Sequence, residues 1–174
     1  NTIACSRPTL AMDLLLPLAL ECLPSAPAGM VCIPGGAGFV GTDDAHTCAQ
    51  GENRRAETRF GPKSATWVQT FYVDLTEVTI EAYQACAKRG DCSPRKPSYN
   101  DYDRPRQPMV GQSFFEADRY CRNNGRGLPS EAQWERAAGG PSGEYGPFGE
   151  VPTTCDNAVV RDATGRSCGV AKAE

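Results

Sequence analysis

Hydrophobic positions along this chain fall into short runs separated by long polar stretches, a pattern that predicts small elements joined by extended loops. Near the start, Leu10, Leu14 and Leu18, with Leu15 and Leu23, repeat at helical spacing and predict an amphipathic helix that Pro17 kinks or shortens. Met30-Val31-Cys32-Ile33-Pro34 is a strand-like run, and the glycine-rich residues 35–41 predict a hairpin or loop. Residues 67–74, rich in aromatic and β-branched side chains, predict one half-buried strand. A helix follows over residues 80–89, capped by Thr79 and closed by Gly90, with Ile80, Tyr83, Cys86 and Ala87 on one face. Ser113-Phe114-Phe115-Glu116 and Ser130-Glu131-Ala132-Gln133 are both capping boxes, opening helices that end at Gly125 and at Gly139-Gly140. Trp134 lies inside the second of these and is expected in the core. From Pro141 onward the text is rich in Gly, Pro and Thr, with no periodic element, and predicts ordered loop held by a crosslink.

Composition sharpens this picture. The 174 residues, 40% hydrophobic and 22% charged, suit one globular domain that buries roughly two-thirds of its unfolded surface. Eighteen Gly and fourteen Pro agree with much irregular backbone. A net charge of −3, with basic and acidic residues interspersed, offers no stripe for a phosphate backbone and argues against a nucleic-acid partner. No apolar run reaches the length of a membrane-spanning helix; the segment from Leu14 to Leu20 is short and follows Asp13. The faint resemblance of residues 7–28 to a secretory signal fails on that Asp13 and on the missing starting Met, so a signal is expected upstream of Asn1.

Nine cysteines need either metal or disulfides. No Cys-x-x-Cys occurs, and a single histidine, His46, argues against zinc or histidine-ligated iron, so disulfides and an oxidising, extracytoplasmic compartment are the expectation. Pairing neighbours gives Cys5 with Cys22, Cys32 with Cys48, Cys86 with Cys92 and Cys155 with Cys168, which leaves Cys121 over. Residues 1–29 then form an extension whose helix, stapled by Cys5 and Cys22, covers the domain; a partner-binding or membrane-surface helix would want basic residues that are absent. His46 and Cys48 lie in a polar surface loop, where the lone histidine is expected to be solvated. The stretch from Ser93 to Pro108, with Tyr99, Tyr102, Arg104 and Arg106, has no apolar face and is either a recognition loop or a solvated connector. The glycine-rich segment lacks the Lys-Ser/Thr ending of a phosphate loop.

The run from Gly125 to Gly140, Gly-Arg-Gly-Leu-Pro-Ser-Glu-Ala-Gln-Trp-Glu-Arg-Ala-Ala-Gly-Gly, resembles the signature of formylglycine-generating enzymes, the sulfatase-modifying factors. Pro34-Gly35-Gly36, Phe39-Val40-Gly41, Phe71-Tyr72-Val73-Asp74, Glu77-Val78-Thr79, Pro108-Met109-Val110, Ala117 to Cys121 and Pro147-Phe148-Gly149 follow the family's order. The resemblance covers about residues 30–160, roughly the first two-thirds of the family's domain. It implies an α+β, loop-rich, C-type-lectin-like fold over residues 30–174, C-terminally incomplete, with structural calcium. Asn157 matches the start of the calcium site and Asp162 is a candidate second ligand; the alternative for Asn157 is a capped loop asparagine.

In the family's enzymes a C-terminal cysteine pair binds copper and, with oxygen, oxidises a sulfatase cysteine to formylglycine. By the resemblance those cysteines are expected beyond Glu174. By the resemblance, a cysteine at the Cys121 position can crosslink to the family's C-terminal third, so Cys121 is expected either to seek a partner on a missing segment or another chain, or to be a buried free thiol. Gly127, Ile80 and Gly111-Gln112-Ser113-Phe114 depart from the family pattern and weaken the enzymatic reading. The functional expectation is therefore a secreted or surface binding or structural module of a larger assembly. The alternative is the N-terminal portion of a copper-dependent oxidase. An iron-dependent sulfoxide synthase is disfavoured, because one histidine cannot supply its ligands.

Overall fold

A computed structural model describes residues 4–8, 22, 25–41, 62–96, 103–143, 151, 154–161 and 167–169. The expected helix near Leu14 and the predicted positions of His46, Cys48, Tyr99, Tyr102 and Asp162 lie outside the described residues.

Among the described residues, seven short strands and three helices follow one another as β1 (Ser6–Pro8), β2 (Met30–Ile33), β3 (Gly36–Val40), β4 (Ser64–Val68), β5 (Phe71–Asp74), α1 (Ile80–Lys88), α2 (Phe114–Asn123), α3 (Glu131–Gly139), β6 (Val160–Arg161) and β7 (Ser167–Cys168). One antiparallel sheet has the order β1-β5-β2, with Ser6 opposite Val73 and Val31 opposite Val73 on the other side. The β3–β4 and β6–β7 pairs form two further sheets. This is an irregular, loop-rich α+β fold in which the described residues form short elements.

The single strand expected over residues 67–74 is broken. Val68 ends β4 and Phe71 begins β5, in different sheets, because the chain bends at Gln69-Thr70 around the backbone of Gly35. Gly35 N–H donates to Thr70 Oγ1 at 2.9 Å, and a Cβ on Gly35 would lie 2.7 Å from Thr70 N and 2.9 Å from Val68 O. Backbone cannot yield as a flexible side chain does, so Gly35→Ala is expected to destabilise by about 1–3 kcal/mol, seen as a lowered melting temperature. A melt indistinguishable from wild type would mean the bend has slack.

The helices begin where their caps stand. Thr79 accepts from Ala82 N–H, and Ser113 and Ser130 close complete capping boxes with Glu116 and Gln133. Helices α1 and α2 pack through Val78, Ile80, Tyr83, Cys86, Met109, Ala117, Tyr120 and Cys121, with the Tyr83 and Tyr120 rings stacked at 5.7 Å. Burial, above all, pushes both phenols upward from their ordinary pKa. A smaller cluster, Val68, Phe71 and Val73, packs against Ile33, Ala132 and Ala137.

Trp134 is not in the core; it is 50% exposed. On α3 the buried positions are Arg136 and Gly139, with Ala132 packed beside them, and a residue two before Arg136 points to the opposite side of a helix.

The disulfides also differ from neighbour pairing. Cys5 joins Cys121 across 116 residues, and Cys22 joins Cys32. The pairs Cys5–Cys22 and Cys32–Cys48 are therefore not formed, and Cys121 is not a free thiol: its partner is Cys5 of this same chain, not a cysteine on a missing segment or another chain. Cys86 joins Cys92 and Cys155 joins Cys168. Sequence proximity failed at the N-terminus because β1 is carried to β5 and to the start of residues 126–128, far away in the chain, where Cys121 lies beneath it.

Candidate functional site

The glycine-rich segment is built around one buried cation. Arg136, 8% exposed, donates from Nε to Pro34 O at 2.8 Å, from Nη2 to Gly35 O at 3.0 Å, and from Nη1 to Ala37 O. The guanidinium fork spans three carbonyls, two from the β2–β3 connection and one from β3, a geometry lysine cannot reproduce. A Cβ on Gly36 would stand 3.3 Å from Arg136 Nη2, and one on Gly38 3.5 Å from Nη1, so small residues make room for the clamp. Beside it, Glu135 Oε2 accepts from Gly41 N–H at 2.8 Å, fixing the far end of β3. Lys63 lies 4.5 Å over the Phe39 ring and donates to Ser142 O and Gly143 O. In the sequence Arg136 is one letter of a helix; the signal that points to it is the spacing of Gly35, Gly36 and Gly38 ahead of a helix with a single arginine.

A second fixed group holds the N-terminal residues. Asp74 Oδ2 accepts from Cys5 N–H at 3.0 Å, and Asp74 Oδ1 pairs with Arg126 Nη1. Ser6 and Gly127 exchange backbone hydrogen bonds at 2.7 and 2.8 Å.

The surface with unspent binding chemistry is the start of α2. Phe114 and Phe115 are 68% and 80% exposed and pack edge to face at 5.7 Å. Next to them in sequence, Gln112 is buried, and neither its amide nitrogen nor its oxygen has a hydrogen-bond partner. Arg95 Nε donates to Glu116 Oε1 at 2.6 Å, across the same helix start. The Arg95 bond, followed by the Ser113 backbone and hydroxyl donors, holds the Glu116 carboxyl at a pKa of about 2.

A carboxylate with a depressed folded pKa stabilises above its unfolded value and loses that contribution as pH falls. Between about pH 4.5 and 2, wild-type stability should therefore decline through Glu116, and Glu116→Gln should flatten that part of a melting temperature against pH curve. Glutamine keeps the cap and removes only the charge. Equal slopes in the two proteins would show that the ion pair does not contribute.

The other expected site residues are dispersed. Arg104 and Arg106 are exposed on a turn that closes over α1: Gln107 O accepts from Ile80 N–H, and Pro105 O from Glu81 N–H. Asn157 Oδ1 accepts from Thr154 N–H at 2.8 Å, and Asn157 N–H donates to Thr154 O at 3.2 Å, a turn beside the Cys155–Cys168 bond. Among the described residues, no group of three or more His, Cys, Asp or Glu side chains converges, and no helix is long and apolar enough to cross a membrane.

A loop-rich α+β domain with its described cysteines closed in pairs and its glycine segment clamped by a helix arginine defines the class of this protein. The profile of the sulfatase-modifying factor enzyme 1-like domain matches residues 21–164, and the chain belongs to that family. It is also similar to the uncharacterized protein YfmG of Bacillus subtilis (strain 168), 29% identical over 142 residues. That match covers 70% of this chain and spans only 28% of the relative.

Proposed function

We propose that this chain acts as a binding and structural module of the sulfatase-modifying-factor type in an oxidising compartment outside the cytoplasm. One observation carries the reading: every cysteine among the described residues is closed in an intramolecular disulfide, in four pairs. Four disulfides are compatible with an extracytoplasmic location, and secretion or surface display is part of the proposal. Thiols oxidised in this way cannot serve as the thiolate donors that copper takes, so the described cysteines do not fit the metal chemistry of the family's enzymes. Their role is to cross-link a scaffold. The scaffold's exposed Phe114–Phe115 pair offers contact area of the kind protein partners use, and it supports a place in a larger assembly.

The test is to incubate the chain with copper(I), oxygen and a sulfatase-motif peptide, and to follow the peptide cysteine by mass spectrometry. No conversion is expected; copper-dependent formation of formylglycine would overturn the module reading.

A second reading is favoured by the coverage of the longer relative. In it the chain is the N-terminal portion of a copper-dependent oxidase, and another segment supplies the copper-binding cysteines. The same assay on a polypeptide extended by the family's C-terminal segment distinguishes the two readings.

Calcium belongs to the proposal as a structural ion. Asn157 and Asp162 would offer it oxygen ligands, the hard donors it prefers. Adding calcium should raise the melting temperature and a chelator should reverse the rise, whereas an unchanged melt would remove the assignment.

A further inference from the structure

The N-terminal strand β1 is an edge strand of its sheet. Strand β1 covers one edge of β5, with Ser6 opposite Val73, Arg7 opposite Tyr72 and Pro8 opposite Phe71. Arg7 and Pro8 are exposed, and Pro8 has no N–H to give to the ladder. Of the described N-terminal residues only Cys5 and Ser6 are buried, and the one sulfur is the only apolar group they anchor in the core. A strand of three residues without an apolar side chain to bury gains little from its ladder alone. The other holds are the Cys5–Cys121 bond, the two hydrogen bonds between Cys5 and Asp74 (Cys5 N–H to the carboxylate and Asp74 N–H to Cys5 O), and the backbone exchange between Ser6 and Gly127, whose carbonyl also accepts from the Ser6 hydroxyl.

We propose that Cys5–Cys121 is a redox latch on β1. With the bond closed, β1 lies on the edge of β5; with it opened by a dithiol reductant, β1 leaves while the three helices and the β2–β5 pairing stay folded. In the opening step a thiolate of the reductant attacks one sulfur, the Cys5–Cys121 bond breaks through a mixed disulfide, and the second reductant thiol displaces the protein. Two electrons and two protons pass to the protein, giving two thiols, and the dithiol leaves as its own disulfide. Both sulfurs belong to residues with no solvent exposure, so the reductant gains access only when the strand lifts. Strand docking thus depends on an oxidising environment, and opening uncovers the β5 edge from Phe71 to Asp74.

Hydrogen exchange on the full chain reads this directly, because Asp74 N–H donates to Cys5 O and Gly127 N–H to Ser6 O, whereas Tyr83 N–H and Trp134 N–H belong to α1 and α3. In a Cys5→Ser, Cys121→Ser double variant, Asp74 and Gly127 amides should exchange at least about tenfold faster, with Tyr83 and Trp134 within about twofold of wild type. Wild-type protein under graded dithiol, quenched by alkylation and mapped by mass spectrometry, should show the same two amides released in step with alkylation of Cys5 and Cys121. Unchanged protection at Asp74 and Gly127 would overturn the latch, since β1 would then hold itself. Loss of protection at Tyr83 and Trp134 as well, or failure of the double variant to fold, would equally overturn it, making the bond a global staple.

Discussion

Arg136→Ala should lose about 4 kcal/mol of folding stability, because it removes a buried guanidinium and leaves three carbonyls without their donors. Charge-assisted hydrogen bonds are each worth about 1.5–3 kcal/mol, and an unsatisfied buried acceptor costs about 1–3 kcal/mol, so even partial relief by water leaves a large deficit. A domain at the lower end of ordinary stability, about 5 kcal/mol, would be close to unfolding. Arg136→Lys should recover part of the loss, about half, since an ammonium can reach one carbonyl well but cannot span three. Urea unfolding followed by the fluorescence of Trp67 on β4 and Trp134 on α3 measures both variants. A midpoint for Arg136→Ala equal to wild type would show that the glycine segment holds its shape without the arginine.

Asp74→Ala should cost about 2–3 kcal/mol. The carboxylate is the acceptor for Cys5 N–H and the partner of Arg126, and its side chain is only 8% exposed, so truncation leaves one amide and one cation unpaired. Arg126, at 31% exposure, can turn toward water and recover part of its hydration, which keeps the loss below that of Arg136→Ala. Asp74→Asn should fall between wild type and alanine, because the amide oxygen still accepts from Cys5 while the charge on Arg126 goes unmatched. A double-mutant cycle with Arg126→Ala, read by denaturant midpoint, isolates the ion pair. Zero coupling would assign the whole effect to the Cys5 hydrogen bond.

The parts of this protein that the chain states locally were legible in it. Ser113 with Glu116 and Ser130 with Gln133 cap α2 and α3 because each cap is closed by residues three apart, and Thr79 opens α1 in the same way. The family signature from Gly125 to Gly140 was legible for a related reason: it is one contiguous segment that includes all of α3. Cys86 and Cys92 are likewise close in sequence and meet at the end of α1.

The candidate surface was only half legible. Phe114 and Phe115 stand out as adjacent aromatics, yet nothing in their spacing says that α2 buries Ala117, Tyr120 and Cys121 and turns both rings outward. Trp134 misled for the same reason, since hydrophobicity alone does not say which face of a helix meets the sheet.

By itself, then, the sequence determined the family, the three capped helices and an oxidising chemistry for the cysteines, all of which depend on residue types and short spacings. Only the tertiary structure decided that Cys5 reaches Cys121 rather than Cys22, that the strand expected across residues 67–74 bends at Thr70, and that Arg136 serves the carbonyls of Pro34, Gly35 and Ala37. Each of these joins residues tens of positions apart. Such a contact forms only when the packing of several elements brings the groups together, and no local preference of the chain encodes that distance.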